Sequence, residues 1–145
     1  MTNIRFSPAA ALLFIVALTP DAALLRRLRE QAESLGMQAV VEVCGSKDLA
    51  LARESGARII QVNARDLDTL RVDRQACLEL ARRCPPERGE IWIAASGMDR
   101  REHLEEAARA GFSAALVGTA LMQDGQPGAA LHRLLHGREE GHHAA

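Results

Sequence analysis

Four segments of this chain place polar residues or glycine directly after an apolar, β-rich run. They are Glu42-Val43-Cys44, Asn63-Ala64-Arg65-Asp66, Ala95-Ser96-Gly97 and Gly118-Thr119. In parallel α/β folds, functional residues collect at the carboxyl ends of the strands. A carboxylate, an amide, a hydroxyl and two glycines are therefore predicted to converge on one face of the fold.

The glycine-containing turns suggest a site for phosphate. Gly97 and Gly118-Thr119 follow the last two apolar runs. Glycine lets a backbone N–H approach a phosphate closely, and helix N-termini present free donors and a positive dipole end. Two such turns on adjacent final strands form the usual phosphate site of (β/α)₈ barrels. The alternative is a pair of ordinary βα turns, where glycine is common.

The carboxylate and the amide could carry acid–base or binding chemistry. Glu42 stands within an apolar strand, where a lone charge is costly to bury. If ionised, Glu42 could stabilise a developing cation or act as a base; the alternative is a structural ion pair with a neighbouring arginine. Asn63 could orient a substrate hydroxyl or hydrogen-bond the backbone of its own turn.

The cysteines and histidines predict no metal site and no cofactor. Three cysteines without a CxxC motif argue against a disulfide framework and a zinc site, and indicate a reducing cytoplasm. Cys44 is expected to be a small buried hydrophobe rather than a nucleophile. His132 and His136 are spaced i, i+4 opposite apolar residues, so they are expected on a solvated helix face.

Composition restricts the partners. The net charge is −1 with mixed signs throughout, which argues against nucleic acid because phosphate-backbone binding needs a clustered basic face. The apolar run Ala9–Leu18 loosely resembles a signal peptide. It is too short to span a bilayer and fits a buried parallel strand better, so no membrane association is expected.

The elements that must position these residues follow a repeating strand–helix pattern, which predicts an α/β fold with a parallel sheet and right-handed crossovers. Strands are predicted at Ala11–Ala17, Ala39–Val43, Arg58–Val62, Glu90–Ala94 and Ala114–Val117. Helices are predicted from Asp21 to about Leu35, then at Lys47–Ser55 with Ser46 as N-cap, Asp73–Arg83, Arg100–Ala110 and Gly128–Leu135. Apolar strands of this kind are expected to be covered on both faces.

The domain prediction follows from length. Residues 1–136 are predicted to form a single domain and 137–145 a disordered tail. A complete (β/α)₈ barrel typically needs about 250 residues. The 145 residues of this chain are thus expected to form a partial TIM barrel of about five βα units.

Taken together, the strand ends resemble those of indole-3-glycerol-phosphate synthases from about Ala11 to Leu135. The similar stretches are ALLFIVAL at 11–18 and Val41-Glu42-Val43, which resemble the family's fourth and fifth strands; GARIIQVNARDL at 56–67, which resembles GARxIGxNxRDL; Ala95-Ser96-Gly97-Met98, which resembles SESGI; and LVGTALM at 116–122, which resembles LVGxxLM. The combined order and spacing is specific, although no single motif is.

This resemblance implies ring closure of a phosphorylated carboxyphenylamino deoxyribulose, with loss of carbon dioxide and water, in tryptophan biosynthesis. Glu42 would be the carboxylate that assists proton transfer, and Asn63 would hold the substrate. Ser96, Gly97, Gly118 and Thr119 would grip the phosphate. The substrate would thus be a small phosphorylated molecule, with no cofactor.

The departures from the family pattern predict little activity. The family's catalytic lysines and a further glutamate come from its first and third strands, which this chain is expected to lack. Lys47, the only lysine, follows the fifth-strand equivalent, and Ala95 replaces the seventh-strand glutamate. Losing several groups that act as a unit removes most catalysis.

Three hypotheses follow from this pattern. The chain could be an enzyme portion that needs a complementing N-terminal half-barrel, a non-catalytic phosphate-binding or interaction protein, or a gene fragment without selected function. Five strands of a barrel would leave two open edges and an exposed apolar inner face. A homo-oligomer or a complementing half-barrel is therefore expected.

Overall fold

The computed structural model describes residues 10–67 and 69–137, which form one parallel sheet with helices between its strands. The strands are β1 (Ala11–Ile15), β2 (Gln38–Val43), β3 (Ile59–Asn63), β4 (Ile91–Ala95) and β5 (Ala114–Leu116). The helices are α1 (Ala22–Ser34), α2 (Ser46–Glu54), α3 (Arg74–Arg83), α4 (Arg101–Arg109), α5 (Thr119–Met122) and α6 (Pro127–His136), and a 3₁₀ turn covers Val16–Leu18. Of the predicted tail at 137–145, all but Gly137 lies outside the described residues.

The strand order is β1-β2-β3-β4-β5, and every pair is parallel. A sequential order without reversal, joined by right-handed crossovers, places successive helices on the same face of the sheet. This is the arrangement of a (β/α)₈ barrel and not of a doubly wound sheet, whose order reverses at a switch point. Within the described residues the sheet is open, since β1 and β5 do not pair. The predicted fold class is therefore confirmed.

The helix-facing side of the sheet carries the core. Val41, Ile60 and Trp92 alternate with residues of the opposite face along their strands, and each is fully buried. They pack in one cluster with helix residues such as Leu25 and Leu78. Trp92 also packs against Phe112, with the two rings edge-on and their centroids 5.6 Å apart.

The opposite face, which would line the inside of a barrel, is apolar and largely uncovered. Leu13 and Ile91 are each 48% exposed, and Leu116 is 58% exposed. For the described residues the expectation that both sheet faces are covered is therefore wrong, whereas the exposed apolar inner face expected of a five-stranded part of a barrel is confirmed. The physical reason is the sequential strand order, which sends the crossover helices to one side and leaves the other without a layer.

Local capping explains where several helices begin. Asp21 and Asp73 cap α1 and α3, since each side chain accepts a hydrogen bond from the backbone N–H three residues later. The predicted N-cap of α2, Ser46, is wrong because Ser46 is already helical and Gly45 occupies the cap position. Asp48 reaches back from the first turn instead and accepts a hydrogen bond from the backbone N–H of Cys44 at 3.0 Å.

Two strand boundaries differ from prediction in a way that matters for the site. The predicted strands stop at Val62 and Ala94, but Asn63 and Ala95 are the last residues of β3 and β4 and are direct register partners. Their side chains thus take their direction from the sheet. In contrast, β1 ends at Ile15, two residues earlier than predicted, because the chain turns into a 3₁₀ helix.

A polar cluster closes the opposite, amino end of the strands. Arg53 in the last turn of α2 forms a bidentate pair with Glu90, through Nε at 2.9 Å and Nη2 at 3.0 Å. The same carboxylate accepts hydrogen bonds from Trp92 Nε1 and from the backbone N–H of Glu87. This cluster lies before β4, whereas the predicted functional residues follow the strands.

Among the described residues, none of the helices has both the length and the apolar character needed to cross a bilayer.

Candidate functional site

The carboxyl ends of β2 to β5 surround an open cleft of about 710 Å³. All six residues predicted from the sequence line this cleft: Glu42, Asn63, Ser96, Gly97, Gly118 and Thr119. They come from four successive βα units and are brought together because parallel strands end at a common edge. Their roles stay predictions, but their convergence on one cavity is a property of the fold.

Glu42 is 4% exposed and is held by two amides. Gln61 Nε2 donates a hydrogen bond to Oε2, and Asn63 Nδ2 donates one to Oε1 at 3.1 Å. Within the described residues no arginine, lysine or histidine pairs with this carboxylate. Among the described residues the alternative ion pair with an arginine is therefore not formed, and Glu42 is a buried carboxylate held by neutral donors.

Asn63 connects the carboxylate to the neighbouring strand. Its Oδ1 accepts hydrogen bonds from the backbone N–H of Arg65 at 3.0 Å and from Ser96 Oγ at 2.9 Å. The predicted alternative, in which Asn63 bonds its own turn, is thus confirmed, and the same side chain also supports Glu42. A chain of hydrogen bonds runs from β4 to β2 through one amide, so a change at Ser96 would be felt at Glu42.

The turn after β4 has an unusual backbone. Ser96 has a φ of +67° and Gly97 a φ of +72°, in the left-handed region that non-glycine residues rarely adopt. A Cβ on Gly97 would lie 2.8 Å from Cγ1 of Val72. Glycine is therefore required at position 97 by both conformation and packing, and the strained Ser96 is a feature typical of functional turns.

The second glycine of the predicted phosphate site is in a different situation. Gly118 has a φ of −122° and forms the N-cap position of the short helix α5. A Cβ there would meet nothing within 4 Å. Thr119 begins α5, and both residues are exposed on the cleft. Glycine at 118 thus keeps the cleft open and is not demanded by backbone strain.

The charged groups at the cleft are few. Among its lining residues Arg65 is the one cation, and the carboxylates are Glu42 and Asp99. Arg65 Nη1 is anchored on the carbonyl oxygen of Leu70 at 2.9 Å. Lys47 does not line the cleft; it lies exposed in the first turn of α2.

The polar cleft residues Gln61 and Arg65 were not among the predicted site residues. Gln61 was interpreted only as part of a strand, yet it lines the cleft and is 6% exposed. Its signal was available: Gln61 stands where the GARxIGxNxRDL pattern has its second glycine. Arg65, which lies two residues after Asn63, could have been found because it follows the end of an apolar strand.

Cys44 corrects another expectation, because this thiol is exposed and not buried. Its pKa is raised by partial burial and by the nearby charges of Glu42, Asp48 and Asp66. A raised pKa disfavours the thiolate, so the prediction that Cys44 is no nucleophile agrees with its electrostatics. Within residues 10–67 and 69–137, no group of three or more His, Cys, Asp or Glu is placed to hold a metal ion.

The structural comparison supports the fold. A chain in the crystal structure of the Amycolatopsis orientalis BexX/CysO complex matches with a TM-score of 0.52 and 24% sequence identity. The match covers 79% of this chain and 48% of that chain. At this level of identity the likeness concerns the fold alone.

The sequence comparisons identify the family. The chain is 44% identical over 113 residues to the indole-3-glycerol phosphate synthase of Chloroherpeton thalassium, covering 78% of this chain and 42% of that protein. It is 42% identical over 131 residues to that of Mycobacterium ulcerans, covering 90% and 47%. It is 37% identical over 127 residues to that of Koribacter versatilis, covering 88% and 48%.

The chain thus spans about half the length of these curated relatives. The family profile described as indole-3-glycerol phosphate synthase matches residues 2–134. That range includes every strand around the cleft and all six predicted site residues. The chain belongs to the indole-3-glycerol phosphate synthase family.

Proposed function

We propose that this chain provides the phosphate-binding part and one proton-transfer carboxylate of an indole-3-glycerol phosphate synthase site in tryptophan biosynthesis. The reaction would be the decarboxylating ring closure of a carboxyphenylamino deoxyribulose phosphate. The observation that carries the proposal is the convergence of six family-matched residues from four βα units on one cleft. Glu42, Asn63, Ser96, Gly97 and Gly118 occupy positions that the family motifs specify, and Thr119 fills a variable position of LVGxxLM directly after Gly118.

The phosphate would bind between the turns after β4 and β5. With left-handed backbone at Ser96-Gly97 and open space at Gly118, the main-chain N–H groups of these turns would be the phosphate donors. Backbone donors of this kind suit phosphate oxygens. The guanidinium of Arg65 lies on the same cleft and supplies a positive charge for an anionic group.

Glu42 would accept and release the proton during ring closure. A general base needs a carboxylate within reach of the substrate and a defined orientation. Burial and two amide donors orient Glu42, and its position on the cleft lets a bound molecule reach it. Asn63 holds Oε1 and links the carboxylate to Ser96 of the phosphate turn.

We further propose that the chain by itself binds the phosphorylated molecule without turning it over. The described cleft presents no lysine, and Ala95 replaces the motif glutamate. One acid–base group typically supplies about 10²–10⁴-fold in rate, so a site with a single proton-transfer carboxylate is expected to fall far below a complete enzyme. The isolated chain would then act as a phosphate-binding module.

The experiment measures binding and turnover on the purified chain. Calorimetry with indole-3-glycerol phosphate and with inorganic phosphate is expected to show binding that weakens in Ser96→Ala and Thr119→Val. Ser113→Ala is the matched control, because Ser113 is exposed at the amino end of β5, away from the cleft. Absence of binding to either ligand would refute the binding role, and indole formation by the chain alone would refute its inactivity.

We propose the remaining βα units of a family barrel as the partner that covers the inner sheet face. Leu13, Ile91 and Leu116 expose apolar surface there, and among residues 10–67 and 69–137 β1 and β5 each have one unpaired edge. Exposed patches and edges of this kind favour association. Co-expression with the first half of a family member should yield a co-purifying complex that forms indole. A homodimer in light scattering, with no such complex, would favour the second copy instead.

Cytoplasmic location stays a prediction from cysteine usage.

A further inference from the structure

Glu42 and Gln61 form a polar pair in the middle of an otherwise apolar row of register partners on the inner sheet face. They are direct register partners on β2 and β3. The row continues with Ile15 beside Glu42 and with Ile93 beside Gln61. Along this row each of the two is therefore the only polar neighbour of the other. Both side chains are 6% exposed or less.

The two amides on Glu42 differ in their freedom to rotate. Asn63 Oδ1 accepts from the backbone N–H of Arg65 and from Ser96 Oγ. Because a backbone N–H can only donate, the Asn63 amide is locked with its NH₂ toward Glu42. Gln61 has no such lock: among the described residues only Glu42 shares a side-chain hydrogen bond with it.

This difference matters when Glu42 takes up a proton. A carboxylate only accepts hydrogen bonds, whereas a carboxylic acid must also donate one from its O–H. A proton on Oε1 would face the locked NH₂ of Asn63, donor against donor. A proton on Oε2 would face Gln61, whose amide can turn by half a revolution and present its oxygen.

We propose that Gln61 is the positioning residue that selects Oε2 of Glu42 as the proton-accepting atom. When Oε2 of Glu42 gains the proton, its hydrogen bond from the Gln61 N–H breaks. The Gln61 amide rotates, and the new O–H of Glu42 donates a hydrogen bond to Oε1 of Gln61. Glu42 loses its charge, and Gln61 neither gains nor loses an atom. In the reaction the proton would come from the bound substrate; this role rests on the proposed function of Glu42.

The position of Gln61 in the family pattern supports a specific role in this chain. The pattern has glycine there, so the amide is an addition and not a structural requirement of the strand. The same chain carries Ala95 in place of the motif glutamate, on the cleft and next to Asn63 in the register. Both amide donors of Glu42, Gln61 and Asn63, come from β3.

The test uses the substitution Glu42→Gln as a neutral mimic of the protonated acid, in the ¹⁵N-labelled full chain. Side-chain NH₂ exchange with solvent is measured by NMR for Gln61, for Asn63 and for the introduced amide. If Gln61 rotates, its NH₂ becomes free and exchanges about tenfold faster, the factor for one net hydrogen bond of about 1.4 kcal/mol. The Asn63 NH₂ should be unchanged.

A second variant keeps the inference falsifiable. In the double variant Glu42→Gln/Gln61→Met, the side-chain NH₂ introduced at position 42 has lost the Gln61 oxygen as its hydrogen-bond acceptor. It should exchange with solvent about tenfold faster than in the single variant Glu42→Gln. Circular dichroism confirms that both variants fold. Should the Asn63 NH₂ respond while that of Gln61 does not, the proton would belong on Oε1 and the inference would be overturned; equal exchange in single and double variants would overturn it too.

These signals come from the folded chain and need no turnover. An amide exchange pattern as expected, with no phosphate binding, would therefore support the positioning role while refuting the proposed function. The reverse combination would refute the positioning role alone.

Discussion

The Arg53–Glu90 pair offers the sharpest prediction about what holds the sheet together at its amino end. The carboxylate accepts hydrogen bonds from Arg53, Trp92 and the backbone of Glu87, and its side chain is 2% exposed. Arg53 also donates to the carbonyl oxygen of Pro85 at 2.8 Å. The substitution Arg53→Met keeps much of the side-chain volume but removes the charge and every donor.

The expected loss of stability in Arg53→Met depends on how buried the ion pair is and on which hydrogen-bond donors to Glu90 remain. Breaking a fully buried ion pair costs about 3–5 kcal/mol because one charge is left uncompensated. Here the Arg53 side chain is 23% exposed, and Trp92 and the Glu87 backbone still donate to Glu90. We therefore expect Arg53→Met to lower the free energy of unfolding by about 2–3 kcal/mol. In a domain of this size each kcal/mol lowers Tm by about 2–4 °C.

The pH dependence gives a second, independent check. Burial of the Glu90 carboxyl opposes its ionisation, but hydrogen bonds from Arg53, Glu87 and Trp92 outweigh burial and hold its pKa below the ordinary 4.5. A group whose pKa is lowered in the folded state makes its full contribution to stability at pH values above its ordinary pKa. That contribution is lost as the pH falls through the folded-state pKa. The stability difference between wild type and Glu90→Gln should therefore shrink below about pH 4.5.

The assay is urea unfolding of wild type, Arg53→Met and Glu90→Gln, followed by circular dichroism between pH 7 and pH 3. Arg83→Met is the control, because Arg83 is 76% exposed in its pair with Glu79 and should lose no more than about 0.5 kcal/mol. The reasoning is refuted if Arg53→Met is as stable as the control variant. If the difference in unfolding free energy between wild type and Glu90→Gln stays constant down to pH 3, the link between the lowered pKa of Glu90 and stability is refuted.

Further predictions concern the cleft and the thiols. Gly97→Ala should destabilise the fold by about 1–3 kcal/mol in thermal unfolding, because it forces a left-handed φ and a Cβ against Val72. Gly118→Ala should leave Tm within about 2 °C of wild type, because a Cβ there meets nothing, yet weaken phosphate binding in calorimetry; equal Tm losses in both variants would contradict the difference. Burial raises the pKa of Cys77 to about 12, so iodoacetamide at pH 8 should leave Cys77 unmodified in the folded chain, as read by peptide mass spectrometry. Cys44 is exposed with a raised pKa, so it should react, but more slowly than a free cysteine, and rapid modification of Cys77 would show that its site opens.

The interpretation of the strand ends succeeded for a simple reason. Parallel strands share a carboxyl edge, so polar residues that end successive apolar runs must meet there. Glu42, Asn63 and Ser96 could therefore be assigned to one cleft before any distance was known. Gly97 could likewise be predicted as a glycine of the site from the sequence, although the close approach of Val72 to it could not.

Cross-strand partnership could not be derived from local pattern. The register that aligns Glu42 with Gln61, and Asn63 with Ala95, depends on how neighbouring strands slide against each other. For that reason an arginine was the expected alternative partner of Glu42, when the actual partners are two amides. The exposure of Cys44 similarly depends on how the chain leaves β2 after Val43, where Asp48 accepts a hydrogen bond from the backbone N–H of Cys44.

The sequence by itself determined the βα alternation, the residues at the strand ends and the family, because these depend on residue types and their spacing along the chain. The tertiary structure alone decided that, in the part of the chain it describes, the sheet is open, one apolar face is uncovered and Gln61 donates a hydrogen bond to Glu42. These features arise between strands and not within them. The physical reason is that register, sheet closure and hydrogen-bond direction depend on contacts between residues about twenty or more positions apart, whose side chains meet only after the chain has folded.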